Sequence, residues 1–242
     1  MRVWRRSTSE LQVKKMRINS VFTIAKKDLK AEFRTKHTLN FMFLFSFLSI
    51  IIFSRVMQDY KYTNAGLAVA PGLLWLVFIY TGLLGIGRAF IKEKELGTLD
   101  GLRLTPLTST DILVGKALYN FVIILIIQTL IFPLFIVFFD YPMKGSFALA
   151  YGVLTLGNLS FVVVGSSLSS LVLNAKAKEL LLPILILPVV FPLVIISISA
   201  LSKVMLYGAG IINIFGEIKI LVGYVVIMSI IALLTFEFAL ED

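Results

Sequence analysis

The sequence predicts an all-α integral membrane protein with six transmembrane helices. The 242-residue chain is 58% hydrophobic and only 15% charged, whereas soluble domains carry about 25% charged residues. Its mean hydropathy is +0.94. Apolar segments close to the roughly 20 residues that a helix needs to cross the hydrocarbon core recur along the chain, with no charge in their middle. They are residues 39–56, 65–87, 117–139, 147–173, 180–199 and 220–240.

These six segments place residues 20–242 in a single transmembrane domain, which comes after a basic N-terminal extension, residues 1–19. Residues 200–219 are apolar but contain three glycines and Glu217. They form either a re-entrant or interfacial segment or a plain loop with ragged helix ends.

The distribution of Lys and Arg predicts that both termini are cytoplasmic. With that orientation, the inside segments hold 18 basic residues and the outside segments hold 5. Positive residues accumulate on the cytoplasmic side of membrane proteins, so the protein is expected in the plasma or inner membrane with several passes. The net charge is +9, and the basic residues lie in the first 38 positions and at the ends of the apolar spans. Contacts with lipid headgroups and the orientation of the chain account for them there, which disfavours nucleic acid as a partner.

Residues 20–36 have the periodicity of an amphipathic helix before the first span. Phe22, Ala25, Leu29 and Phe33 share one stripe, and Lys26, Lys27, Lys30 and Arg34 lie off it. Such a helix lies in the interface with its cations toward anionic headgroups. It is either a simple anchor or also a contact for a partner subunit.

The fifth span contains Pro183, Pro188 and Pro192, each of which removes a backbone donor and favours a kink. We therefore expect this helix at a subunit or bundle interface, although prolines are also common in membrane helices generally. The fourth span contains Gly152, Gly157 and Gly165, which favour close helix packing.

Catalytic and metal-binding chemistry has little support in the sequence. There are no cysteines and one histidine, His37, which excludes thiolate sites and makes a poor haem or metal ligand without companions. We expect no catalytic residues and no metal site. No G-x-x-x-x-G-K-[ST] motif is present, so any ATP-driven function requires an ATPase on another polypeptide.

A long polar segment, residues 92–116, separates the second and third spans on the predicted cytoplasmic side. Leu96, Leu99 and Leu102 would share one face of a short helix, which Pro106 ends. Thr108 and Asp111 then have the spacing of a capping box that opens the next helix, with Asp in place of the usual Glu. An exposed apolar edge on a structured loop favours docking of a soluble protein.

These residues resemble the coupling-loop signature of ABC export permeases, and the chain as a whole is similar to the haem exporter B (CcmB) family. The resemblance rests on Glu95-x-Gly97-Thr98-Leu99-Asp100, Leu102, Thr105-Pro106-Leu107, Gly115-Lys116 and the proline run at 181–192. It implies a cytoplasmic coupling helix between the second and third spans. The residues that it assigns to ATPase coupling are Glu93, Glu95, Gly97, Thr98, Leu99, Asp100, Leu102, Pro106 and Leu107.

The resemblance further implies a permease that is not itself an enzyme and acts in c-type cytochrome biogenesis. Its partners would be a cytoplasmic ABC ATPase that binds the ATP, a second copy of the permease and further haem-handling membrane subunits. Haem is then the candidate substrate, and no cofactor is expected on this chain. Two alternatives stay open. One is an ABC export permease for a lipid, antibiotic or polysaccharide; the other is a scaffold or an ion-coupled carrier, and the carrier is disfavoured because no predicted span has a charge in its middle.

Overall fold

The computed structural model describes residues 2–95, 108–172 and 178–241, and these residues are helical apart from short connections. The helices are α1 (Arg2–Thr35), α2 (His37–Val56), α3 (Asn64–Glu95), α4 (Ser109–Phe139), α5 (Phe147–Leu171), α6 (Lys178–Tyr207) and α7 (Phe215–Glu241). A short 3₁₀ helix, Ile211–Ile214, precedes α7. No strand occurs within the described ranges.

Six of these helices, α2 to α7, are long and apolar enough to cross a membrane, which confirms the predicted fold class at this level. The predicted boundaries were close for α2 and α5, whereas α3 continues to Glu95 instead of residue 87 and α6 to Tyr207 instead of residue 199. Helix α4 begins at Ser109, directly after the predicted cap Thr108 and eight residues before the predicted span 117–139, and α1 begins at Arg2, well before the predicted start at Ser20.

Helix α5 occupies the centre of the bundle, since it packs against α3, α4, α6 and α7. Two of its glycines make these contacts close, as the sequence predicts. A Cβ on Gly157 would lie 2.5 Å from the Trp75 ring of α3, and one on Gly165 would lie 2.5 Å from Ile86 of the same helix. Gly152 is different, because nothing lies within 4 Å of the position its Cβ would take.

Helix α6 continues through Pro183, Pro188 and Pro192. The Tyr224 hydroxyl of α7 donates to the carbonyl of Val189, one turn before Pro192. A hydroxyl from a neighbouring helix therefore supplies a donor in the part of α6 where proline weakens the backbone ladder. The kinks themselves stay a prediction.

Most of residues 200–219 belongs to the ends of α6 and α7. The connection is reduced to residues 208–210, where Gly208 has a φ of +69°, and the 3₁₀ helix. This arrangement agrees with a plain connection between ragged helix ends, and a re-entrant or interfacial position of these residues stays a prediction.

Candidate functional site

The coupling residues predicted from the sequence lie mostly outside the described residues. Glu93 and Glu95 belong to the last turns of α3. Gly97, Thr98, Leu99, Asp100, Leu102, Pro106 and Leu107 fall between the described ranges 2–95 and 108–172. The structure does describe the start of α4, directly after this segment, and the helices packed against it.

Helix α4 begins with the capping box that the sequence predicts. The Thr108 side chain accepts from the backbone N–H of Asp111 at 3.3 Å, and the Asp111 carboxylate accepts from the backbone N–H of Thr108 at 3.3 Å. These bonds satisfy donors that a helix start leaves without intrahelical partners. Thr108, directly after the polar segment, is thus fixed to the first turn of α4.

In the second turn of α4, Gly115 brings this helix into direct contact with α1. A Cβ at Gly115 would lie 2.9 Å from Cβ of Ile24 and 3.2 Å from the carbonyl oxygen of Val21. Ile24 and the neighbouring Ala25 are buried. The glycine is therefore required by the close approach of the two helices.

Beside Gly115, the Lys116 ammonium makes an ion pair with Asp28 of α1, with 2.9 Å between Nζ and Oδ2. The Lys116 side chain is 2% exposed and that of Asp28 is 12% exposed. Asp28 also contacts Lys27 at 3.3 Å, but Lys27 is 53% exposed. Of these two ion pairs of Asp28, the one with Lys116 is therefore the more shielded from water.

A second carboxylate of α1, Glu32, holds the start of α2. Its Oε1 accepts from the backbone N–H groups of Thr38 at 2.6 Å and Leu39 at 3.0 Å. Between the two helices, Lys36 has a φ of +53° and forms the corner. A carboxylate on free N–H groups at a helix N-terminus satisfies them and interacts favourably with the helix dipole.

We call this arrangement the α1 junction: Asp28 and Glu32 of α1, Thr38 and Leu39 of α2, and Gly115 and Lys116 of α4. The sequence analysis used Gly115 and Lys116 only as part of the motif shared with the family, and it assigned no role to Asp28 or Glu32. The signal was present in the spacing of Asp28 and Glu32, which are four residues apart on a helix and lie beside the apolar Ile24 and Ala25.

The amphipathic stripe predicted for α1 is divided in the structure. Ala25 is buried and Leu29 is half-buried, whereas Phe22 is 61% and Phe33 is 48% exposed. The predicted cations, Lys26, Lys27, Lys30 and Arg34, are also exposed. The face that packs on the bundle is therefore rotated toward Ile24, Asp28 and Glu32, which leaves the two phenylalanines uncovered.

Neutral polar side chains link α4 to α5 inside the spans. Gln128 donates to Thr155 Oγ1 at 2.9 Å and to the carbonyl of Tyr151 at 3.1 Å, and it accepts from Asn158 at 2.7 Å. Gln128 is fully buried and Asn158 is 1% exposed. Both amides therefore find protein partners, which buried polar groups in a membrane require.

At the opposite end of the bundle, the α2–α3 and α4–α5 connections are joined by Tyr62 and Asp140. The Tyr62 hydroxyl donates to the Asp140 carboxylate, and Lys61 lies 3.6 Å from the same oxygen. The hydrogen bond from Tyr62 and, next, the charge of Lys61 lower the pKa of Asp140 below its usual range. This cluster is exposed, so it ties two connections together at the surface.

An apolar cavity of about 250 Å³ lies between α4, α5 and α7. Its lining is hydrophobic except for Ser166 and Ser229. Within the described residues, no group of three or more His, Cys, Asp or Glu side chains could hold a metal ion. His37 instead stacks on Phe41, with 6.3 Å between ring centroids.

Together, the six long apolar helices and their buried glycine and amide contacts define a multi-pass α-helical membrane protein. The chain belongs to the CcmB protein family, whose model matches residues 19–241.

Among curated proteins, the chain is 30% identical to "Heme exporter protein B" of Rhodobacter capsulatus over 135 residues, which are 56% of this chain and 62% of that protein. It is 27% identical to the protein of the same name from Paracoccus denitrificans, with the same coverage. It is 31% identical to "Probable multidrug ABC transporter permease YbhR" of Escherichia coli over 113 residues, 47% of this chain and 29% of that protein. The matched region thus spans less than two thirds of each of these relatives.

Proposed function

We propose that this chain is the transmembrane permease subunit of an ABC-type exporter that handles haem in c-type cytochrome biogenesis. The observation that carries the proposal is membership of the CcmB family along residues 19–241. Similarity to two proteins named "Heme exporter protein B" supports the assignment of the substrate. ATP hydrolysis is then the task of a separate cytoplasmic subunit, because the chain has no phosphate-binding motif of the G-x-x-x-x-G-K-[ST] type.

In this proposal both termini face the cytoplasm, supported by the 18-to-5 distribution of basic residues. Residues 92–107 then form the element that docks on the ATPase, and the capped start of α4 comes directly after it. The α1 junction lies on the same side as the ATPase. The pairing of Tyr62 with Asp140 lies on the outer side.

Helix α1 lies in the cytoplasmic interface in this arrangement. Phe22 and Phe33 then contact lipid acyl chains, while Lys26, Lys30 and Arg34 contact anionic headgroups. The exposure of all five side chains supports this placement. A second copy of the permease and further membrane subunits would cover part of the apolar surface, including the exposed Ile184, Phe191 and Ile195 of α6.

A second candidate function is export of a different compound by the same kind of permease. The similarity to the protein named "Probable multidrug ABC transporter permease YbhR" favours this alternative, although it covers 29% of that protein. The two functions differ in cargo and share the ATPase-coupling element, so different experiments test the cargo and the coupling.

The cargo is tested by deleting the gene in the source organism and staining its membranes for covalently bound haem. Export for cytochrome biogenesis predicts that c-type cytochromes disappear and return with the wild-type gene, while b-type haem persists. Normal c-type cytochromes together with increased sensitivity to drugs would reject the haem assignment and favour the multidrug alternative.

The coupling element is tested by co-purification of the tagged permease with its ATPase subunit. Replacing Leu99 and Leu102 with Ala should remove the apolar docking edge and reduce the amount of bound ATPase. Leu104→Ala is the matched control, because this residue is in the same segment but off the predicted leucine face. Full retention of the ATPase by the Leu99→Ala/Leu102→Ala variant would refute the assignment of residues 92–107.

A further inference from the structure

We infer that the Asp28–Lys116 ion pair holds α1 and α4 together as one rigid unit, which carries the movement of the ATPase-coupling segment to α1 and to the start of α2. The inference rests on the proposed function, which supplies the movement. It adds a role for two residues outside the coupling segment and assigns α1 more than membrane anchoring.

The first step of the transmission is the start of α4. The coupling segment ends at Thr108, and the bonds between Thr108 and Asp111 fix it to the first turn. From Asp111 to Lys116 the helix rises roughly 8 Å, at 1.5 Å per residue. A displacement applied at the cap therefore reaches Lys116 through a single continuous helical segment.

The second step is the contact between α4 and α1. Gly115 removes the side chain that would separate them, so the backbone of α4 lies against Ile24 and Val21. Lys116 reaches Asp28 at 2.9 Å with only 2% of its side chain exposed. Separating the helices would break an ion pair whose two side chains are largely shielded from water, which is unfavourable. The contact therefore resists separation more than apolar packing alone would.

The third step runs from α1 to α2. Glu32 is on the same helix as Asp28, one turn further on, and its carboxylate holds the N–H groups of Thr38 and Leu39. Glu32 is 5% exposed. A movement of α1 is thus passed to the first turn of the first membrane span, at the corner formed by Lys36.

Two variants test the ion pair in the purified complex of permease and ATPase in nanodiscs. The measured quantity is the permease-dependent ATP hydrolysis rate, which is the rate of the complex minus that of the ATPase alone. Asp28→Asn should lower this quantity about fivefold, within the range found for residues that carry coupling between sites. The charge-reversed variant, Asp28→Lys with Lys116→Asp, should recover at least part of it. Asp59→Asn is the matched control, because Asp59 is an exposed carboxylate in the α2–α3 connection.

A covalent link tests whether the pair acts by holding the two helices together. The natural chain has no cysteine, so one introduced pair gives a defined disulfide. Cβ of Ile24 lies 2.9 Å from the position of a Cβ at Gly115, so a shift of about 1 Å between the helices gives the roughly 3.5–4.5 Å between the Cβ atoms of a disulfide. In an Ile24→Cys/Gly115→Cys background, Asp28→Asn should lower the permease-dependent ATP hydrolysis rate when the protein is reduced. Oxidation of the same sample should restore that rate.

The outcomes separate this inference from the proposed function. Failure of the wild-type chain to bind any ATPase rejects the proposed function and the inference together. If the ATPase binds to wild type and variants alike, a wild-type rate in Asp28→Asn rejects the inference alone. A loss of activity when the Ile24→Cys/Gly115→Cys protein with Asp28 intact is oxidised, measured against the same protein reduced, also rejects it, since α1 and α4 would then have to move apart. Rescue by the disulfide excludes a role for the charge itself.

Discussion

Gly157 provides the sharpest test of the packing around α5. Gly157→Ala would place a methyl group 2.5 Å from the Trp75 ring and 2.8 Å from the Ser197 hydroxyl. Ordinary carbon–carbon contacts are about 3.5–4.0 Å, so one of these groups must move by about 1 Å. Trp75 is fully buried and packs edge-on against Phe78, with 6.5 Å between ring centroids. The indole therefore has little room to yield.

Overpacking of this kind costs about 1–3 kcal/mol. The gain from Ala over Gly in a helix interior offsets about 0.5–1 kcal/mol of that cost. We expect a net destabilisation of about 1–2 kcal/mol, which changes the ratio of folded to unfolded protein by roughly five- to thirtyfold.

Gly152→Ala is the matched control, since it is the same substitution on the same helix with nothing within 4 Å of the new methyl group. It should be stabilising by about 0.5–1 kcal/mol, because only the helix propensity changes. The assay is the free energy of unfolding in mixed micelles, measured by titration with a denaturing detergent. If Gly157→Ala is as stable as Gly152→Ala, the close contact between α5 and α3 is refuted.

Three further predictions concern the cap, the buried amides and the outer connections. Thr108→Ala should destabilise the start of α4 by about 1 kcal/mol, seen as faster hydrogen exchange at the Asp111 amide, and unchanged exchange would contradict the cap. Gln128→Leu should cost about 1–3 kcal/mol because it leaves the Asn158 amide unpaired; Gln128→Leu with Asn158→Leu should cost less, and a strictly additive cost would refute the pairing. The lowered pKa of Asp140 means that its contribution to stability is present above the usual carboxyl pKa and is lost as the pH falls through the lower folded value. Tyr62→Phe should raise that pKa in an NMR titration, whereas Asp59→Asn should leave it unchanged.

The helices were predictable because their signals are local. Runs of apolar residues set the spans, and the Thr108–Asp111 spacing set the start of α4 better than the hydropathy of the third span did. The span predicted from hydropathy starts only at residue 117, because Asp111 and Lys116 interrupt the apolar run. In the structure, both side chains are buried in polar contacts of the folded protein.

The α1 junction was much less predictable, because its partners are distant in the sequence. Asp28 and Lys116 are 88 residues apart. In the sequence, each of them resembles an ordinary charged residue near a membrane surface, with nothing to indicate that the two form a pair. The stripe predicted for α1 assumed that all its aromatic residues face the same neighbour. In the structure, Ile24 and Ala25 pack on the bundle and Phe22 and Phe33 are exposed. This pattern agrees with a helix that has one face on protein and another available to lipid.

The placement of charge also bears on the source of energy for transport. An ion-coupled carrier needs titratable side chains near the middle of its spans. Among the described residues, the polar groups in the α4–α5 contact include the amides Gln128 and Asn158 and the hydroxyl of Thr155, which do not titrate and are hydrogen-bonded to each other. The Asn120 amide likewise donates to the Ser166 hydroxyl at 3.2 Å. The buried ion pair of Asp28 and Lys116 lies instead at the end of the bundle, near the segment proposed to meet the ATPase. The ion pairs of the described residues thus lie at the two ends of the bundle and not in the middle of the spans, which disfavours an ion-coupled carrier.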